Sequence, residues 1–154
     1  MGVVDHLTPL FGRWNGTNRV RLMPTDEYQS STATATIGAT AARFVSIAYT
    51  WSDGDAPQDG LLLIGGDADA TGDGVSAVWV DSWHTGPTWM TFSGGVDEGG
   101  ELRLRGSYPA PPGPDWGWHI HVRPRDAVIT MHNVVPEHEP YQVVELALEP
   151  AGPQ

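Results

Sequence analysis

Residues 13–22 read Arg13-Trp14-Asn15-Gly16-Thr17-Asn18-Arg19-Val20-Arg21-Leu22, and their character alternates by twos. Arg13, Asn15, Thr17, Arg19 and Arg21 share one side; Trp14, Gly16, Val20 and Leu22 share the other. Successive side chains of an extended strand point to opposite faces, so this period predicts a strand with one wet and one covered face. The stretch Ser31-Thr32-Ala33-Thr34-Ala35-Thr36-Ile37 repeats the pattern, with the threonines opposing Ala33, Ala35 and Ile37.

Working outward, the same β-type content recurs in segments of similar length. The expected strands are residues 13–23, 30–40, 43–52, 60–66, 75–84, 88–94, 102–108, 115–123, 127–135 and 141–148. Glycine and proline punctuate the chain throughout instead of gathering in one linker, and the links are short and turn-like: Asp53-Gly54-Asp55, Asp97-Glu98-Gly99-Gly100, Pro124-Arg125-Asp126. Only residues 3–10 suit a turn or two of helix, with Pro9 ending it. About ten strands in an up-and-down meander must do something with two open edges, and closure into a single antiparallel β-barrel removes both. A two-sheet sandwich is the competing arrangement. No repeat of fixed period is visible, and no domain boundary interrupts residues 1–154.

Composition narrows the chemistry. The chain has no cysteine, which excludes disulfides, thiolate nucleophiles and cysteine-based zinc sites. All eight basic residues are arginine, so Schiff-base chemistry and a lysine general base are excluded as well. A formal net charge of −11 repels phosphate backbones and anionic lipid surfaces, so neither nucleic acid nor membrane is an expected partner. The N-terminal stretch lacks a basic region ahead of its apolar residues, and no run approaches the ~20 apolar residues of a bilayer span. A cytoplasmic location is the expectation.

The opening of the first strand, Gly12-Arg13-Trp14-Asn15-Gly16, resembles the Gly-x-Trp start of calycin barrels and the Gly-x-Trp-x-Gly form of nitrobindin-like haem barrels. Together with Arg43-Phe44-Val45-Ser46-Ile47-Ala48-Tyr49-Thr50-Trp51, Trp79-Val80-Asp81-Ser82-Trp83-His84 and the Gly106-Ser107-Tyr108 … Trp116-Gly117-Trp118 region, it is similar to a bacterial family labelled as domain of unknown function 1579. The similarity runs through most of residues 10–148. It implies a calycin-like barrel and no named activity. Haem-binding relatives hold iron through a histidine on a strand near the C-terminus. The last strand here, residues 141–148, has none, so His132, one strand earlier, is the only in-strand substitute.

Seven tryptophans are the dominant candidates for function. By alternation Trp79, Asp81 and Trp83 share one strand face, and Trp116, Trp118 and Ile120 share another. Pointing inward with Trp51, His84 and His132, they would wall a cavity suited to a largely apolar ligand that carries a donor or a cation. The alternative is that the rings fill the interior of a small barrel. Asp81 among aromatics needs a partner or a raised pKa; Arg13 or Arg43 could supply the partner, which would make Asp81 half of a structural ion pair and not a binding group. His119 and His121 share a strand face; with a turn centred on Arg125-Asp126, His119 lies opposite His132 and His121 opposite Thr130. Three imidazoles suit a borderline metal, but the apolar face of that strand is the one bearing Trp118, which puts the histidines outside. Asp81, Ser82 and His84 do not form a triad by alternation, and no Gly-x-Ser-x-Gly elbow is present. The proline-rich stretch 109–114 reads as a stiff connector or a flap at the barrel mouth.

These features predict a small-molecule-binding or carrier barrel for a hydrophobic or aromatic ligand, with no cofactor. The alternatives are a haem protein using His132, or a filled structural barrel that pairs as a homodimer.

Overall fold

A computed structural model describes residues 1–151. It forms a single closed barrel of ten antiparallel strands: β1 (Gly12–Val20), β2 (Gln29–Thr40), β3 (Phe44–Asp53), β4 (Ala56–Gly66), β5 (Val75–Asp81), β6 (Met90–Val96), β7 (Leu102–Tyr108), β8 (Trp116–Arg123), β9 (Val128–Val134) and β10 (Tyr141–Pro150). Each strand pairs with its neighbours in sequence, and β1 pairs with both β2 and β10. No edge is left open, as the meander predicts.

The alternation in residues 13–22 becomes an in-and-out pattern. Asn18 and Val20 are buried, while Arg13, Asn15 and Thr17 are exposed. Gly16 sits where β1 runs closest to β10; a Cβ there would overlap the Ala147 carbonyl. Trp14 donates its indole N–H to the Leu10 carbonyl at 2.7 Å and anchors the entry to the barrel. The Gly-x-Trp-x-Gly signature is thus a close strand approach flanked by a packing ring.

The up-and-down order gives the barrel two distinct ends. One is plugged by α1 (Val3–Leu7) and the 3₁₀ turn Thr8–Leu10, whose Val3, Leu7 and Leu10 are fully buried. The other, the mouth, carries the β1–β2, β3–β4, β5–β6, β7–β8 and β9–β10 connections. The proline-rich stretch 109–114 lies at this mouth. Between the ends, Ile47, Leu62, Ile64, Val75, Leu102, Leu104, Ile120 and Val122 pack from every side with almost no exposure. Among the described residues, no helix is long and apolar enough to cross a membrane.

Two expected strands differ in a way that bears on function. β4 begins four residues before the expected Gly60, at Ala56, because the tight turn after β3 starts its ladder at Asp53↔Ala56. β5 stops at Asp81, three residues before the expected His84. The Asp81 side chain stops it: Oδ1 accepts from the backbone N–H groups of Trp83 and His84 at 2.9 and 3.0 Å, which folds the chain into a turn.

Candidate functional site

Six of the seven tryptophans belong to the mouth half of the barrel or its loops; only Trp14 lies at the plugged end. At their centre is His84. Its ring lies 4.7 Å from that of Trp83, 5.4 Å from Trp118, 5.5 Å from Trp79 and 5.9 Å from Trp51, centroid to centroid. Trp79 and Trp118 stack nearly parallel, 13° apart at 5.5 Å.

This cluster rests on a buried carboxylate. Asp81 is 2% exposed and accepts five hydrogen bonds. Oδ2 takes the Tyr49 hydroxyl at 2.6 Å and the Trp51 indole N–H at 3.3 Å. Oδ1 takes the two backbone N–H groups of the turn and His84 Nδ1 at 3.0 Å. Trp79 in turn donates its indole N–H to the Tyr49 oxygen at 2.9 Å. Burial alone would raise the Asp81 carboxyl; the donors from His84, Tyr49 and the turn outweigh it and hold the group down to about 2. For Tyr49, burial and the adjacent carboxylate both push the phenol well above its ordinary value, so it stays a donor. Gly60 faces Tyr49 across the ladder, and a Cβ there would overlap the phenol; the glycine makes room for the network.

An ionised carboxylate has no proton to give, so the hydrogen on the Asp81–His84 bond belongs to Nδ1. In the neutral imidazole this leaves Nε2 as an acceptor. In place of the arginine considered for Asp81 stand His84, the Tyr49 phenol, the Trp51 indole and the backbone. The reason is local: a turn directly after Asp81 brings its own N–H groups and the His84 ring within reach, which a continuing strand would have sent apart.

Above this layer is an open cavity of about 400 Å³, walled by Trp79, Trp83, His84, Met90, Tyr108 and Trp118. Its far side is braced by Tyr108, whose hydroxyl donates to Asn133 Oδ1, while Asn133 Nδ2 donates to Tyr141 at 2.9 Å. Below it lies a void of about 10 Å³, bordered by Asn18, Tyr49, Trp51, Asp81 and His84, which is room for about one water. The barrel is packed solid in its lower part and hollow at the mouth.

The expected wall residues therefore divide. Trp79, Trp83, His84 and Trp118 line the cavity; Trp51 and Asp81 form the layer beneath it. Trp83 arrives there from the turn and not by strand alternation with Trp79 and Asp81, and its indole N–H reaches Asp53 at 3.1 Å. Trp116 is half-buried and packs edge-on against Tyr108 at 6.3 Å, outside the cavity lining. His132 is not a wall residue. The inward side chains of β9 are Ile129, Met131 and Asn133, which leaves His132, partly buried, on the outward face of the strand with the buried Thr130.

The expected register between β8 and β9 is present, with His119 opposite His132 and His121 opposite Thr130. On the outer face His121 lies 4.5 Å from the His132 ring and 6.2 Å from that of His119, and its Nδ1 is 3.3 Å from Glu101. Among the described residues, no group of three or more histidine or carboxylate side chains is arranged to hold a metal ion. A haem held by His132 does not fit either, because that ring is outside the barrel and the interior beneath the mouth is filled. Tyr49 in the layer beneath the cavity, and Tyr108 and Asn133 on its wall, are residues that the sequence reading did not name as site residues. Tyr49 alternates inward with Val45, Ile47 and Trp51, and that period was the available signal.

No curated protein matches the chain. Among solved structures it is similar to the crystal structure of Rv2717c from M. tuberculosis, at 12% identity, with 97% of each chain covered and a TM-score of 0.59. At that identity the likeness speaks for the fold alone, and the closed ten-strand barrel fits a calycin-like architecture. The family model described as "Protein of unknown function (DUF1579)" matches residues 4–149, and the chain belongs to that family.

Proposed function

We propose that this protein is a small-molecule-binding barrel that takes an apolar or aromatic ligand into its mouth. The observation that carries this reading is the cavity of about 400 Å³, within the ~300–1,000 Å³ of small-molecule sites, walled by indole, imidazole and thioether groups. A barrel of this size has no structural need for a hollow end. Its lower part shows that the same strands pack to a near-void-free core. The rings at the mouth are fixed by their own hydrogen bonds, Trp79 to Tyr49, Trp83 to Asp53 and Trp51 to Asp81, so little side-chain entropy is lost on binding.

Intrinsic tryptophan fluorescence tests the proposal, because Trp79, Trp83 and Trp118 border the cavity. Titration with a panel of bicyclic aromatics and medium-chain apolar compounds should quench or shift the emission at micromolar ligand. An unchanged spectrum across the panel, with calorimetry equally silent, rules the reading out.

A further inference from the structure

Position 18 is the polar break on the covered side of β1. Asn18 points inward beside Val20, is 3% exposed, and among the described residues its carboxamide has no hydrogen-bond partner. Buried amides are nearly always bonded, so this one calls for an explanation. The one side-chain polar atom among the described residues that is both sealed and unpartnered is Trp118 Nε1. The Asn18 amide is therefore not walled in. It opens onto the void of about 10 Å³ that Asn18 borders with Tyr49, Trp51, Asp81 and His84.

We propose that this void is a binding site for one neutral, water-sized molecule, held by the Asn18 carboxamide against the Asp81 layer. The site is separate from the mouth cavity and does not rest on the binding reading above. A space of this size holds about one water, which inside a protein takes about 2–4 polar partners. Asn18 brings one acceptor and two donors. The Tyr49 hydroxyl donates to Asp81 and accepts once, from Trp79, which leaves it a second lone pair. Asp81 excludes a charged occupant. Its oxygens already take five donors, so no lone pair is left to ligate a cation, and the same carboxylate repels an anion. The rest of the border, with Ile47, Leu62, Met131 and Leu146, is apolar and offers no competing bond. The occupant is thus a neutral group with both a donor and an acceptor, and water is the one always at hand. His84 borders both this void and the mouth cavity, which makes its ring the shared wall of the two spaces.

Water-selective rotating-frame Overhauser NMR on the wild-type protein is the primary test. The Asn18 side-chain amide should show a dipolar contact with a long-lived water; an amide without one overturns the proposal. Water ¹⁷O relaxation dispersion on Asn18→Leu gives a second reading, because an apolar side chain of similar size closes the space and removes the amide. Relative to wild type the dispersion amplitude should fall by the share of about one buried water. An unchanged amplitude in the folded variant also overturns the proposal, since the long-lived waters then lie elsewhere. If Asn18→Leu does not fold, the wild-type contact decides alone.

Discussion

Tyr49 Oη donates to Asp81 Oδ2 at 2.6 Å in a layer where both side chains are shut off from solvent, and Trp79 uses that same Tyr49 oxygen as its acceptor. The phenol is therefore a relay between an indole and a carboxylate, and removing its single oxygen strands two groups at once. Tyr49→Phe keeps the ring and its packing. It should destabilise the barrel by about 2–4 kcal/mol, combining a donor lost from a buried carboxylate with an indole N–H left unpaired. Urea denaturation measures it. A loss below about 0.5 kcal/mol would mean that water replaces the hydroxyl and that the layer is not dry.

The same carboxylate sets an acid limit. Its native value is about 2, below the ordinary 3.8, so the native state binds fewer protons than the unfolded chain between these values. Stability from this group is fully present above about pH 4 and is lost as the pH falls toward about 2, amounting to about 2 kcal/mol. Asp81→Asn lacks the titration. The stability gap between wild type and Asp81→Asn should narrow by that amount between pH 5 and pH 2 in denaturant titrations, and a constant gap contradicts the assignment.

The outer histidines act at milder pH. Burial, then the neighbouring His132 and Arg103, holds His121 down to about 4 against an ordinary 6.5; burial first also lowers His119 and His132. On acidification the unfolded chain takes up these protons before the native one does. Stability from the cluster is therefore present above about pH 6.5 and declines as the pH falls toward about 4. His121→Gln should flatten the stability curve over that window without touching the window assigned to Asp81. NMR titration of the imidazole resonances checks the cause directly, and a His121 midpoint near 6.5 removes it.

The barrel was legible because its evidence is local and repeated. The alternation in residues 13–22 and 31–37, short links and a Gly-x-Trp-x-Gly entry each point the same way. Of the aromatic residues singled out from the sequence, Trp79, Trp83, His84 and Trp118 border the mouth cavity. What alternation could not supply was the end of β5. Asp81 has strand-like neighbours on its N-terminal side, and only the competition of its own carboxylate for the backbone N–H groups of Trp83 and His84 turns the chain there. That one turn brings His84 to Asp81 and makes an arginine partner unnecessary. The exclusion of His132 follows from β9 keeping Ile129, Met131 and Asn133 inward, a choice that Val128, Thr130 and His132 did not make obvious from sequence.

A last expectation concerns the hollow end itself. Met90 borders the cavity, pairs with Trp79 across β5 and β6, and is only partly buried, so a larger side chain there grows into the cavity and away from the packed core. Met90→Trp should intrude into the cavity of about 400 Å³ beside Trp79 and weaken binding of a bicyclic aromatic at least about tenfold. Its unfolding free energy should stay within about 1 kcal/mol of wild type, or rise, because added apolar area is covered without displacing a packed neighbour. Leu7→Ala is the counterpart at the plugged end, where the side chain is fully buried: it should lose about 2–5 kcal/mol of stability while the folded protein binds as before. Fluorescence titration and urea denaturation on the two variants read the two properties separately. If Met90→Trp binds normally, the ligand lies elsewhere; if it unfolds like Leu7→Ala, the mouth is core and not cavity.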